Sequence, residues 1–374
     1  MAIARIIKPH VAEVVIVNTR RLKAIAESKQ KTDRHDAKTL AQLLAAGMLS
    51  GFWQPDEAIR ALRRRVARRA RLVSYRARFK NEILAVLHRN LKHRPPMSDP
   101  FGVAGQQWLS EQMLVEDERD TVDAALRQID FLTGEITKIE RQLAGFAVDS
   151  SEARWLMTVP GVGLITAVAF LGQVGEISRF ADSRQLVGYL GLDPKVRQSG
   201  ASQATTGRIS KEGSALVRHV LVEAAHTAIR SPGPLRAFFE RVRARRGHAV
   251  AIVAVARKMC VLFWHLLTRG ENYAYQMPIV TAKKLRKVEL TAGAPTATSK
   301  APTGRNAVSS SAAQPKPPRV PTSATSPTGS VNSSSEAATW CKPELDFLSG
   351  RVSRVGRWRP ARPVGPRAGD GLTH

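Results

Sequence analysis

Two long helical patterns between residues 55 and 150 constrain this chain more than any other feature. From Pro55 to about Leu91, an apolar stripe of Leu62, Val66, Val73, Ile83, Leu84 and Leu87 recurs at helical spacing. From about Asp117 to Phe146, Val122, Leu126, Ile129, Leu132, Ile136, Ile139 and Leu143 repeat the pattern. Arg94-Pro-Pro-Met-Ser-Asp-Pro100 breaks the chain between them. Two amphipathic helices joined by a Pro-rich excursion predict an antiparallel coiled-coil arm. Arginines surround the first stripe, Arg64 and Arg68 among them, so one face of the arm is heavily basic. These two are candidate nucleic-acid contacts. The bland alternative is a solvated surface helix.

Charge extends this reading to the whole chain. Lys and Arg number 58 against 31 Asp and Glu, a formal net charge of +27. Such an excess fits a polyanionic partner, because each phosphate neutralised releases condensed counterions. Arginine dominates the clusters, and its planar fork suits phosphate. Only two cysteines occur, Cys260 and Cys341. They support neither a structural zinc site nor a disulfide framework, so a reduced, cytoplasmic setting is expected. No apolar run reads as long enough to cross a bilayer, and no membrane partner is expected. The opening residues are too few and too charged for a signal peptide.

The remainder divides into three parts. Residues 1–54 read as a small α/β piece. A helix ends near Lys8, Pro9 and His10 break it, and Glu13-Val-Val-Ile-Val-Asn18 has the composition of a buried strand. A helix over Lys31–Leu44, capped by Thr32 or Asp33, carries Leu40, Leu43 and Leu44 on one face, and Gly47 ends it. Residues 151–290 read as a helical domain. Its core candidates are Phe238, Phe239, Val253, Phe263 and Trp264, and His219, His226 and His265 fit structural positions better than metal ligands. Residues 291–374 turn to Ser, Thr, Pro and Ala without period. Such a tail cannot bury a core and is expected to be disordered, with a shifted reading frame the preferred origin. The fold class is therefore mainly α.

Three features between Val159 and Arg230, with one pair outside, carry candidate chemistry. Pro160-Gly-Val-Gly163 between two apolar helices has the form of a helix-hairpin-helix turn. Gly161 and Gly163 would let the backbone approach a phosphate, and the next helix offers free N–H groups. An ordinary Gly-Pro turn is the competing reading. Ser199, beside Gly200, is a candidate nucleophile, and Arg197, Arg208 and Lys211 are nearby cations suited to a phosphorane. Ser202, Ser210 and Ser214 compete with it, the last two also as helix caps. Asp33 and Asp36 share a helix face at i, i+3 and could ligate a hard cation together, against a bland reading of one cap and one surface acid.

In combination these segments are identified with a known family. Lys-Thr-Asp-Arg-His-Asp-Ala-Lys-Thr-Leu-Ala (31–41), the basic helix pair, Pro-Gly-Val-Gly (160–163), Ser-Arg-Phe (178–180), Leu-Val-Gly-Tyr-Leu-Gly-Leu-Asp-Pro (186–194), Gln-Ser-Gly (198–200) and Ile-Ser-Lys-Glu-Gly (209–213) resemble the DEDD-type insertion-sequence transposases. The resemblance covers about residues 1–290. It implies an N-terminal RuvC-like domain, a coiled-coil arm and a C-terminal transposase domain. It further implies four acids in the order Asp, Glu, Asp, Asp holding Mg2+, of which Asp33 and Asp36 match the last two. Ser199 matches the serine that forms a covalent link to DNA. Homo-oligomers and a structured bridge RNA that guides the choice of DNA are also implied. The family's first Asp and its Glu have no match here, so the expectation is a truncated RuvC-like piece and a weak or dead recombinase. The rival expectations are a non-catalytic DNA- or RNA-binding remnant and a RuvC-like junction nuclease using the acids alone.

Overall fold

A computed structural model describes residues 2–19, 22, 32–49, 51–93, 95–200 and 205–295. The N-terminal part holds α1 (Ala2–Ile7), a 3-10 turn over Lys8–His10 and α2 (Asp33–Ala45). Thr32 caps α2, its side chain accepting from the His35 N–H at 3.2 Å. The expected strand over Glu13–Asn18 does not form. The segment runs half-buried through Val14–Val17, and no strand among the described residues pairs with it. One backbone bond, Phe52 N–H to Ile16 O at 2.7 Å, is its link to the next segment. β-branched residues favour an extended chain, but a strand exists only where a second backbone completes the ladder.

The arm consists of α3 (Glu57–Arg89), α4 (Val103–Ser110) and α5 (Glu116–Asp149). Asp56 caps α3 through the Ile59 N–H at 2.7 Å. Cross-helix bonds pair Arg68 with Glu135 and Arg69 with Glu140, while Arg89 meets Glu118. Partners move backward along α5 as α3 advances, so the helices are antiparallel. The excursion between them folds back as α4. There Leu109 joins Ile83, Val86, Leu87, Val122, Ala125 and Ile129 in a separate apolar cluster at the tip of the arm.

The base of the arm belongs to the main core. Leu62 and Val66 of α3 and Ile139, Leu143 and Ala147 of α5 cluster with the helices that follow. These are α6 (Ser151–Met157), α7 (Leu164–Val174), α8 (Ser183–Leu190), α9 (Ala215–Ala228), α10 (Pro234–Arg246), α11 (His248–Arg269) and α12 (Pro278–Ala292). A two-stranded antiparallel sheet, β1 (Pro194–Arg197) and β2 (Thr205–Ile209), projects between α8 and α9. Phe263 and Phe239 are buried as expected, Phe263 edge-on to Phe170 with centroids 4.9 Å apart; Phe238 and Trp264 are partly buried against the core. One sequence reading needs correction. α11 is, by length and composition, apolar enough to span a bilayer, yet Ala251, Val255, Met259, Phe263 and Leu266 are buried at the centre of this core. α12 lies against α5 and α6 and ends at Ala292, followed by Gly293. The expected disordered tail lies outside the described residues from position 296 onward.

Candidate nucleic-acid and strand-transfer site

The α6–α7 turn begins from a firmly seated helix. Ser150 caps α6 through the Ala153 N–H at 3.1 Å. The two glycines of the turn then do different things. Gly161 has φ +80°, and a methyl there would lie 2.2 Å from Ala224 O, so its backbone is pressed onto α9. Gly163 has open space where a Cβ would stand. As the residue before α7 it leaves the first turn without a side-chain cap. The other end of α7 is heavily satisfied. Arg63 donates to Gly172 O and Gln173 O at 2.6 and 2.7 Å, and Arg179 donates to Val174 O at 2.8 Å. Two guanidinium groups therefore compensate the negative end of the helix dipole, while the positive end has no acid in its first turn.

Those arginines also tie the N-terminal segment to this domain. The Arg179 guanidinium lies 4.1 Å from the Trp53 ring centroid, 4.2 Å from Phe180 and 4.4 Å from Tyr189, and the Arg63 guanidinium lies 5.2 Å from the Trp53 centroid. Gly175, φ +64°, makes room for Trp53: a methyl there would lie 2.4 Å from the indole. Burial holds the Arg179 pKa below the usual guanidinium value. Cation–π contact replaces part of the lost hydration.

Ser199 lies just beyond β1 and is exposed, as are its neighbours Gln198 and Gly200. Pro194 faces Ile209 and Arg197 faces Thr205, with an irregularity between Pro194 and Val196. The hairpin base is locked onto the end of α8. Gly191 ends α8 at φ +68°, and a methyl there would lie 1.9 Å from Glu212 O. Gly213, at φ +74°, packs on the α8 backbone in the same way, and a methyl there would lie 2.2 Å from Tyr189 O. Ser210 Oγ bonds Asp193 Oδ1 at 2.5 Å, and Arg218 donates to Leu190 O and Glu212 O. Ser214 caps α9 through the Val217 N–H. Ser210 and Ser214 thus have structural partners in this base. Ser199 stands in the loop with Arg197 and Arg208 on the flanking strands and Lys211 just past them, all exposed. Ser202 lies outside the described residues.

The two acids stand on α2. Asp33 is exposed in its first turn, and Asp36 is half-buried with its Oδ1 fully enclosed and without a hydrogen-bond donor. An enclosed carboxylate oxygen lacking a donor has the chemistry of a ligand for a hard cation. Asp33 stands one turn before Asp36 on the same helix, and among the described residues no cluster of three or more His, Cys, Asp or Glu adds to them. The acids lie on α2 and Ser199 lies just past β1, on separate elements of the chain. On the arm, Arg64 pairs with Glu57 at 2.7 Å and Arg68 with Glu135 at 3.0 Å. Their charges are partly spent within the arm, whereas Arg65 and Arg71 are exposed on the same helix.

Sequence reasoning missed three participants. Asp193 anchors Ser210, Arg179 caps α7 from a cage of rings, and Lys284 reaches the α6–α7 turn from α12. The Gly-Leu-Asp-Pro stretch carried a signal for the first and Ser-Arg-Phe (178–180) for the second, while nothing local signalled Lys284.

Comparison with known proteins gives two family matches. A model described as the transposase IS116/IS110/IS902 family matches residues 153–240. A second, described as a transposase and labelled for IS110-type DEDD proteins, matches residues 2–90. The Sinorhizobium fredii protein y4qE, which carries a transposase name, is 33% identical over 228 residues, 60% of this chain and 54% of that protein. The Coxiella burnetii transposase for insertion sequence element IS1111A is 33% identical over 138 residues, 36% of this chain and 38% of its own length. A Pseudomonas aeruginosa protein named for family 20 transposases is 26% identical over 272 residues, 65% of this chain and 74% of its own. The chain thus spans about half or less of the first two of these relatives.

Proposed function

Because this chain belongs to the IS110/IS116 family of transposases, we propose that it binds the ends of a DNA element and exchanges strands through Ser199. The carrying observation is the Ser199 hairpin. Its base is held by Ser210–Asp193 and by the close approach of Gly191 and Gly213 to facing backbone, Ser199 is exposed, and the hairpin carries Arg197 and Arg208 on its strands with Lys211 just past them. In the reaction, Ser199 Oγ attacks phosphorus and one P–O bond of the phosphodiester breaks. The displaced sugar oxygen takes a proton, and the serine's own proton passes to base or solvent. Attack by a hydroxyl of another strand then reverses the step and releases the serine. The flanking cations stabilise the charge on the pentacoordinate phosphorus.

Asp33 and Asp36 are the residues here that would hold Mg2+, whose chemistry is to lower the pKa of a nucleophilic hydroxyl and polarise the phosphate. Placement of acids and serine on separate elements supports assembly of copies, with one subunit's acids meeting another's serine. The basic face of the arm and the α6–α7 turn supply grips for DNA and for a structured guide RNA. The division at residues 54, 150 and 290 and a cytoplasmic setting belong to the same reading.

An excision and strand-transfer assay with cognate element ends tests it. With only two of the family's four acids matched, weak product is expected with Mg2+, absent with EDTA, and lost in both Ser199→Ala and Asp36→Asn. Cleavage that survives Ser199→Ala but not Asp36→Asn would show a nuclease working through the acids alone. Salt-sensitive binding without product would show a binding protein.

A further inference from the structure

Lys284 lies on α12, far along the chain from the α6–α7 turn, yet its ammonium ends inside it. Nζ donates to Met157 O at 2.6 Å, Val159 O at 3.0 Å and Val162 O at 3.0 Å. These carbonyls span the turn from the end of α6 almost to the start of α7. An ammonium has three N–H donors, and here each has an acceptor. No carboxylate among the described residues shares it. Across the turn, Gly161 is seated on the α9 backbone at Ala224. The turn is therefore clamped between α9 and Lys284, and what it leaves open is Gly163 and the uncapped first turn of α7.

We infer that Lys284 is a positioning residue for the nucleic-acid grip: it holds the α6–α7 turn in the shape that presents Gly163 and the α7 N–H groups to a phosphodiester, and places a positive charge behind them. The inference rests on the proposed function and deepens it. Two further observations support it. Burial pulls the Lys284 pKa down to about 8, so the fold keeps a charge here against its desolvation cost. An uncharged side chain would avoid that cost but take this donor from Met157 O and Val162 O, leaving Val159 O with only the Val162 N–H. Moreover, Arg63 and Arg179 already satisfy the far end of α7, so the Lys284 charge is directed at the turn alone.

The test uses the full chain with Lys284→Met and, as a control, Lys287→Met, which removes an exposed charge from the same helix. Amide hydrogen exchange over 158–166 and duplex affinity at two salt concentrations are read together. In Lys284→Met, exchange in that segment is expected to quicken by about tenfold or more while the arm and α11 stay unchanged. Duplex affinity should fall by roughly five- to tenfold. Methylammonium should restore part of it relative to sodium at equal ionic strength. Lys287→Met should leave exchange unchanged. Unaltered exchange over 158–166, or quickening shared by every segment, overturns the inference. So does full duplex affinity in Lys284→Met. If the unmodified chain binds no duplex while exchange still quickens in the variant, the proposed function falls and the clamp remains only as a structural contact.

Discussion

Ser199 and Ser210 flank the same hairpin but differ in what surrounds them. Ser210 is half-buried and held by Asp193 at the hairpin base, whereas the Ser199 residue is exposed. Ser210→Ala is therefore expected to cost about 1 kcal/mol, read as a lower urea midpoint, and to retain strand transfer. Ser199→Ala should leave the midpoint within about 0.5 kcal/mol and abolish strand transfer. The glycines at the hairpin base have no such latitude. Gly191 needs φ +68° and touches the Glu212 backbone, so Gly191→Ala is expected to cost at least about 1–2 kcal/mol from backbone conformation, with the steric clash added. A variant as stable as the parent in urea would show that the α8 end and the 210–213 segment are not held together as described.

At the scale of elements, the arm and the turn respond to different agents. The arm tip has its own apolar cluster around Leu109, which is 1% exposed. Leu109→Ala should cost about 2–5 kcal/mol, felt first as faster hydrogen exchange at the tip rather than at the base. The turn should respond to pH through Lys284. Its folded pKa of about 8 lies below the ordinary value of 10.5. Below pH 8 both states hold the proton. Between about 8 and 10.5 the unfolded chain binds more protons than the folded one, so this lysine's contribution to stability rises with pH across that window. The difference in unfolding midpoint between the parent and Lys284→Met should follow that rise. A flat difference would mean that the ammonium is not buried as described. The arm was legible in the sequence because an apolar stripe is a local signal, readable along Leu62–Leu87 and Val122–Leu143 without knowing any neighbour. The Glu13–Asn18 strand was misread because pairing is not local. Lys284 was illegible because Lys283, Lys284, Arg286 and Lys287 look alike along α12, and only tertiary packing turns one of them inward. The Ser199 hairpin was legible as a motif, while Asp193, which holds its base, gained its meaning only once Ser210 was seen opposite.

Over the whole molecule, a net charge of +27 sets the terms of binding. If phosphate contact dominates, duplex affinity should fall by a factor of about a hundred or more between 50 and 200 mM salt. The excess charge is not spread as loose surface decoration alone: Arg63, Arg179 and Lys284 are spent inside the fold on backbone carbonyls, and Arg68, Arg69 and Arg89 on arm carboxylates. Among the described residues, exposed basic side chains remain on the Ser199 hairpin, on α3 and at the end of α10. The measurement that reaches the central claim most directly is the site of covalent attachment. The full chain is incubated with element-end DNA and Mg2+, quenched and digested, and the nucleotide-bearing peptide is identified by mass spectrometry. Attachment at Ser199, absent with EDTA and in Ser199→Ala, is the result expected. Attachment at another residue, or strand-exchange product formed with no protein–DNA link, would contradict it.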